Sequence, residues 1–396
     1  MLSRSSLSTT TGPAGHVTFL SSGQVSENSS QGIDDQIVID LNAVPPPAPG
    51  KSYYAWLLAD KSQTDMRTVA LGTLPVVNGH AHLFYKGDAQ HTNLLLITSR
   101  FLVTDENAGM PPVAPSPDTS TWSYYGEFAQ NPTSGPANPQ HYSYLDHLRH
   151  LLAADPTLEQ LELSGGLNNW FYQNTSKIWE WTSSTREQWE ETKDTAFLRR
   201  QTIRTLTYLD GLSFVHQDLP PQTPMLVNER LASVGLLPIG GANQEPVPYA
   251  THITRHMNGL LQSGQATPTQ RQQAADIMTA LGNVQFWLGQ VRQDALHIMQ
   301  MNDQQLLQPD TLTTINDMID NATYAYAGQV DPNTGQMHQG VSWIHTHMQD
   351  LATMDINTVD SSHLPAVQMI HDTQHTGAIS LPLFILNSKE IYGYKK

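Results

Sequence analysis

Residues 267–301, TPTQRQQAADIMTALGNVQFWLGQVRQDALHIMQM, carry the strongest helical pattern in the chain. The stretch opens with a Ser/Thr-x-x-Gln capping box, Thr267 to Gln270, with proline at the first helical position. Apolar residues then recur at alternating steps of four and three: Ile277, Leu281, Val284, Leu288, Val291, Ala295 and Ile298. This spacing places them on one helical face, and at ~1.5 Å per residue the helix would be on the order of 50 Å long. We therefore predict that this helix is the spine of a bundle.

A second stripe on the same helix consists of small residues, Ala275, Gly282 and Gly289, at seven-residue intervals. Glycine inside a helix costs about 1 kcal/mol relative to alanine. A neighbouring backbone that packs closely against the helix would offset this cost. We therefore expect a close helix contact along the stripe.

The first third of the chain has a different pattern, with short β-branched and aromatic runs separated by Gly, Pro and Asn. The candidate strands are residues 16–20, 36–41, 52–59, 68–74, 80–85, 94–104 and 122–128. Seven short strands without helical patterns between them are typical of an antiparallel β-sandwich. The Asn78-Gly79 step predicts a tight hairpin turn.

Several motifs in this region resemble one protein family. They are GKSYYAWLL at 50–58, LGTL at 71–74, the Asn78-Gly79 turn, and FLVTDENAG at 101–109 followed by Pro111 and Pro112. Residues 13–128 thereby resemble the extracytoplasmic domain of anti-sigma-K-type factors. The resemblance implies a β-sandwich outside the membrane and an exported or cell-surface protein.

Two departures limit what this resemblance implies. The family's double glycine is Ala108-Gly109 here, and the chain lacks the family's membrane helix and sigma-binding segment. Sigma-factor binding is therefore not expected, and we expect membrane association only through a segment absent from this sequence.

Beyond a linker that is rich in Pro, Gly and Asn, the pattern becomes helical. We predict an α+β, multidomain fold, an antiparallel β-sandwich followed by an all-α bundle. The ranges are 1–12 for a flexible leader, 13–128 for the sandwich, 129–140 for a linker, 141–376 for the bundle and 377–396 for an apolar, β-like tail. The tail could pair with the sandwich of its own chain or of another copy, and pairing between copies would build filaments.

Composition excludes several function classes. The formal net charge is −16, and nucleic acids and anionic membrane surfaces both require clustered Lys and Arg, so neither is an expected partner. There is no cysteine, which excludes thiolate metal sites and cysteine nucleophiles. No phosphate loop, dinucleotide fingerprint, Gly-x-Ser-x-Gly or His-Glu-x-x-His motif is present.

Seventeen histidines give the chain its strongest chemical signal. Pairs at helical spacing are His147/His150, His252/His256 and His371/His375, and His345 lies two residues from His347. Methionines lie close to several of them, namely Met257, Met348 and Met369. Imidazole with thioether suits copper, and imidazole alone suits zinc. We take His252, His256, His345, His371 and His375 as candidate ligands for copper or zinc, with hydrogen-bonded core histidines as the alternative.

His80 and His82 have the His-x-His spacing of amidohydrolase metal sites, but the β pattern around them favours a hairpin with two surface histidines.

Three interpretations of the protein's function follow from the sequence. The first is an exported, non-enzymatic protein that acts through a protein partner or by self-assembly. The second is a metal-binding bundle, and the third is an unrecognised hydrolase.

Overall fold

The computed structural model describes residues 12–23, 31–63, 67–135, 138–220, 222–241 and 244–359. Residues 360–376 of the predicted bundle, with His371 and His375, and the tail at 377–396 lie outside the described residues. All but one residue of the predicted leader does too.

Nine strands of the described chain form one antiparallel sheet. They are β1 (Gly15–Leu20), β2 (Gln36–Leu41), β3 (Lys51–Leu58), β4 (Thr68–Thr73), β5 (Val76–Val77), β6 (His80–Tyr85), β7 (Arg100–Asn107), β8 (Trp122–Glu127) and β11 (Thr353–Thr358). Their order is β4-β3-β7-β8-β11-β1-β2-β6-β5. A separate hairpin pairs β9 (Gly328–Val330) with β10 (Met337–Gln339). The predicted α+β fold, an antiparallel sheet followed by helices, is confirmed.

The sheet curls so that its two edges approach each other. The two edge strands, β4 and β5, are consecutive in the chain and are joined only by Leu74 and Pro75. Because a two-residue connection spans only a short distance, the two edges of the sheet must lie close together where it joins them. The curl brings apolar side chains from both halves of the sheet into one hydrophobic core. From the β1–β2 half come Val17, Phe19, Ile37 and Ile39, and from the β3–β7–β8 half come Tyr53, Leu57, Phe101 and Tyr124.

One strand of the sheet comes from the far side of the helical region. β11 follows the last described helix, yet it lies between β1 and β8. It pairs with β1 along four residues, from Gly15 opposite Ile356 to Thr18 opposite Thr353. Residues 353–358 were predicted to belong to the bundle at 141–376, and here the structure differs. The strand has only six residues and directly follows an apolar helical stripe. Its alternation of buried and exposed positions is too short to be distinguished from the helical pattern in the sequence.

The seven strands predicted in the first third of the chain agree with the structure, with one exception. The predicted strand at 94–104 begins with a single helical turn, α1 (Leu94–Ile97), and β7 starts at Arg100. The Asn93 side chain accepts a hydrogen bond from the Leu96 backbone N–H and caps this turn. Asn93 is thus a helix-capping residue in the sequence, but the apolar residues that follow it favoured the prediction of a strand. The expected Asn78-Gly79 turn connects β5 to β6, with both residues at positive φ.

The helices occupy most of residues 144–352. They are α2 (Tyr144–Leu152), α3 (Pro156–Gln160), α4 (Leu167–Thr192), α5 (Thr195–Asp210), α6 (Leu212–Val215), α7 (Glu229–Ala232), α8 (Tyr249–Gln262), α9 (Pro268–Gln300), α10 (Asp303–Leu306), α11 (Asp310–Ala327) and α12 (Val341–Met348). Short 3₁₀ turns lie at Thr119–Thr121 and Gln349–Ala352. None of the helices in the described ranges is long and apolar enough to cross a bilayer.

Helix α9 is the predicted spine. All seven residues of its apolar stripe are at most 1% exposed, and the capping box of Thr267 and Gln270 is fully formed. The predicted close contact at Gly282 and Gly289 is wrong, because a Cβ atom at either position would meet nothing within 4 Å. The stripe of small residues faces solvent. The free-energy cost of placing these two glycines inside a helix is therefore not offset by close packing of a neighbouring backbone among the described residues.

Polar contacts attach the helices to the sheet. The Gln270 side chain donates to the Thr353 backbone carbonyl at 2.9 Å, so the cap of α9 also holds the start of β11. Arg149 of α2 binds Asp60, just after β3, with two parallel hydrogen bonds of 2.7 and 2.8 Å. Bidentate pairs of this kind constrain relative orientation strongly.

We predict that sheet and helices unfold together because β11 links them. Ile356→Ala removes a fully buried side chain in β11 and should lower the free energy of unfolding by about 2–5 kcal/mol. Guanidinium unfolding should show one transition when followed by far-UV circular dichroism and by tryptophan fluorescence. Thr358→Ala, at the exposed end of the same strand, serves as the control and should change stability by about 0.5 kcal/mol or less. Helical signal that unfolds at the wild-type midpoint in Ile356→Ala would contradict this coupling.

Candidate metal centre

Four histidines from two helices meet in the interior. His147 and His150 are three residues apart on α2, and His252 and His256 are four residues apart on α8. Residues at these spacings lie on one helical face. Because α2 and α8 pack against each other, both histidine faces point into the same space.

Asp155 completes the cluster from the connection between α2 and α3. Its Oδ1 caps α3 by accepting from the backbone N–H groups of Thr157 and Leu158. Its Oδ2 lies 3.7 Å from His252 Nε2 and 4.0 Å from His150 Nδ1. Capping therefore orients the carboxylate while one oxygen faces the imidazoles.

The donor atoms lie close enough to share one ion. His150, Asp155 and His256 each offer a ligand atom, and these three atoms lie within 4.8 Å of one another. Zinc bound by nitrogen and oxygen is tetrahedral in most protein sites, with ligand distances of about 2.0–2.2 Å, so its ligand atoms lie about 3.3–3.6 Å apart. Side-chain adjustments of about 1 Å would bring the three atoms to such separations.

His147 supports this group from the side. Its Nδ1 lies 3.0 Å from His256 Nδ1, a hydrogen bond in which one neutral ring donates and the other accepts. Gly259, three residues after His256 on α8, has no side chain, and the His147 ring packs against the helix at this position. A Cβ atom there would lie 2.3 Å from His147 Nε2.

Tyr142 covers the cluster on another side. Its ring lies edge-on to His150 with centroids 4.7 Å apart, and it stacks on His256 at 5.8 Å. An aromatic wall of this kind limits the access of water and lowers the local dielectric constant. His147, His256 and Asp155 are correspondingly exposed by only 2%, 4% and 1%, and the side chains of His150 and His252 by 13% and 15%.

Two polar atoms in the cluster have no hydrogen-bond partner among the described residues, namely His147 Nε2 and His150 Nδ1. A buried polar atom without a partner typically costs about 1–3 kcal/mol. Most buried polar groups in native proteins are paired, so two orphaned imidazole nitrogens in one cluster require an explanation. A cation bound by His150 and Asp155 would provide the missing partner for His150 Nδ1, which lies 4.0 Å from Asp155 Oδ2, whereas His147 Nε2 faces Gly259 of α8.

Burial controls the protonation of the cluster. It lowers the pKa values of His147 and His252 to about 4, and lowers that of His256 well below its ordinary value. Burial also lowers the pKa of His150 and raises that of Asp155. The imidazoles are thus neutral at pH 7 with lone pairs available to a metal ion, the form that metal binding needs.

The structure separates the predicted ligands. It brings His252 and His256 together, with His147 and His150 opposite them, whereas His371 and His375 lie outside the described residues. His345 lies in α12, where its ring stacks on Tyr172 with centroids 4.4 Å apart, and it is not among the clustered ligand atoms.

Sequence reasoning missed Asp155. The Asp155-Pro156 step, an N-cap followed by proline at the first helical position, was the available signal. The thioethers of Met257 and Met348, predicted near the histidine pairs, belong to the hydrophobic core.

His80 and His82 occupy the hairpin surface. Nδ1 of His80 lies 2.9 Å from Asn42 Oδ1, and Nδ1 of His82 lies 2.6 Å from Asp40 Oδ1. Both partners lie on or just after β2, so the two rings contact the neighbouring strand individually, as surface histidines do.

Comparisons of the chain with protein-family models, with curated proteins and with solved structures found no match. The resemblance of residues 13–128 to anti-sigma-K-type domains therefore stays a prediction.

The cluster predicts a pH dependence of stability. The pKa values of His147 and His252 are about 4 in the folded chain, below the ordinary 6.5, so between these limits the unfolded chain binds more protons. The contribution of the two neutral imidazoles to the free energy of unfolding should be at its full value above pH 6.5. It should decrease as the pH falls toward 4, by on the order of 3 kcal/mol per imidazole. Chemical unfolding at several pH values, in the presence of a chelator, measures this slope.

The matched variant is His147→Leu/His252→Leu, which retains Asp155 and so retains its contribution of opposite sign. Its stability should vary less between pH 6.5 and 4 than that of the wild type. The exposed substitution His82→Gln is the control and should keep the wild-type slope. Equal slopes in the wild type and the double variant would show that these imidazoles are not held neutral.

Proposed function

We propose that this protein binds a divalent transition-metal ion between α2 and α8, with His150, Asp155 and His256 as ligands. The observation that carries the proposal is the convergence of these three ligand atoms within 4.8 Å in a buried space. His147 and His252 lie beside them and position the ligands or extend the coordination.

The alternative of ordinary core histidines accounts for the cluster less well. A core imidazole is usually tolerated because both of its nitrogens find partners. Here four imidazoles are packed together around one carboxylate, and two nitrogens are orphaned in the described structure. Such an arrangement lowers stability unless an ion occupies it.

The ligand set favours zinc or copper(II). Two imidazoles with one carboxylate suit borderline ions, whereas Ca²⁺ and Mg²⁺ prefer all-oxygen sites. Neutral imidazoles and an ionised Asp155 would leave a bound divalent ion with one net positive charge. An ion held this way would cross-link α2, the start of α3 and α8, and would stabilise the folded chain in proportion to its occupancy.

The interpretation of an exported protein that acts through partners or self-assembly stays a prediction, and so does the unrecognised hydrolase. The first depends on the anti-sigma-K-like motifs and on the tail, which lies outside the described residues. The second gains a specific candidate site, because two histidines and a carboxylate also form the ligand set of zinc hydrolases.

Metal analysis tests the proposal directly. The chelator-treated protein should take up about one equivalent of Zn²⁺ or Cu²⁺ in calorimetric titration, and Co²⁺ should produce visible absorption bands at the site. His150→Ala/His256→Ala should lose this binding, with affinity reduced at least 100-fold, because two of three ligands are removed. Elemental analysis of the protein as purified identifies the natural ion.

His345→Ala is the matched control, since it also removes a largely buried imidazole but lies outside the cluster. It should bind metal as the wild type does. Near-UV circular dichroism verifies that each variant is folded. Absence of binding in the wild type, or equal binding in the double variant, would refute the proposed centre.

A further inference from the structure

A cavity of about 480 Å³ opens where the sheet meets the turn between α8 and α9. Its walls come from β8, β11 and the residues around the N-terminus of α9. β8 and β11 are paired through only two residue pairs, Tyr125 with Asn357 and Tyr124 with Thr358. The cavity lies beside this short pairing, and its volume is within the range of small-ligand sites.

The register of the two strands determines which side chains share the cavity. Continuing the antiparallel pairing by two residues places Glu127 of β8 opposite Asp355 of β11, on the face that carries Tyr125 and Asn357. All four residues line the cavity. One sheet face therefore presents two carboxylates, an amide and an aromatic ring.

Each carboxylate already has a cationic or ionisable neighbour. Lys61 Nζ lies 2.6 Å from Glu127 Oε1, and His16 Nδ1 lies 3.0 Å from Asp355 Oδ1. The Tyr125 hydroxyl donates to Glu127 Oε2 at 2.6 Å, which orients the phenol ring beside the carboxylate. These contacts hold the polar groups in place without filling the cavity.

Gln265 adds a further polar side chain to the cavity wall. It lines the cavity from the α8–α9 turn, and its Oε1 is shielded from solvent with no hydrogen-bond partner in the described chain. Its amide nitrogen is held by the Asn131 carbonyl at 3.3 Å. The side chain is thus anchored at one atom and unpaired at the other.

We propose that this cavity binds a neutral polyhydroxylated ligand, a saccharide. Sugar hydroxyls donate to carboxylate and amide oxygens, and charge-assisted bonds of this kind are the stronger ones. The apolar C–H face of a sugar ring packs on aromatic side chains, which Trp122 and Tyr125 supply as a parallel pair. An anionic ligand would meet the like charges of Glu127 and Asp355, and a purely apolar ligand would face the polar side chains of Glu127, Asp355 and Asn357 without hydrogen-bonding to them.

Saturation-transfer NMR with the full chain tests this proposal. The probes are glucose, galactose, mannose, N-acetylglucosamine and cellobiose, with glucuronate as the anionic comparison. We expect transfer to at least one neutral sugar, and calorimetry should then yield its affinity. Glucuronate should bind at least 10-fold more weakly than the best neutral sugar.

Two variants locate the site. Glu127→Gln removes the charge of one carboxylate, and Tyr125→Ala removes the ring; each should weaken sugar binding at least 10-fold. Glu180→Gln alters a comparable surface Lys–Glu pair, with Lys177, and should bind as the wild type does. Near-UV circular dichroism confirms folding. No transfer to any neutral sugar, equal binding of glucuronate, or unchanged binding in both site variants would overturn the proposal.

Discussion

The position of β11 is the constraint on which the rest of the structure depends. This strand fills the gap between β1 and β8, so the curled sheet is complete only after the chain has passed through all eleven described helices from α2 to α12 and the turn that follows them. Gln270 reinforces the arrangement, because the residue that caps α9 also binds the Thr353 carbonyl. This hydrogen bond fixes the start of α9 against the start of β11.

The histidine cluster combines a cost in stability with the properties that the proposed metal binding needs. Burial keeps its imidazoles neutral, which suits metal binding but leaves nitrogen atoms without partners in a buried environment. Asp155 partly resolves this conflict, since one of its oxygens caps α3 while the other faces the histidines. A single carboxylate therefore serves the helix start and the candidate centre at once.

The two candidate sites share structural elements. Tyr144, at the start of α2, lines the cavity, and His147 follows it by three residues, a rise of about 4.5 Å along the helix. Gln265 follows the end of α8, the helix that carries His252 and His256. Any shift of α2 or α8 on metal binding would therefore be transmitted to the wall of the cavity.

Local patterns in the sequence determined much of this protein. The spine helix with its cap, six of the seven early strands and the spacing of the histidine pairs all follow from interactions between residues close in the chain. The partners of those pairs do not. His147 meets His256 across 109 positions, and β1 meets β11 across more than 330. Only the tertiary structure decided these contacts, because periodicity reports which face of an element is buried and carries no information about which other face it meets.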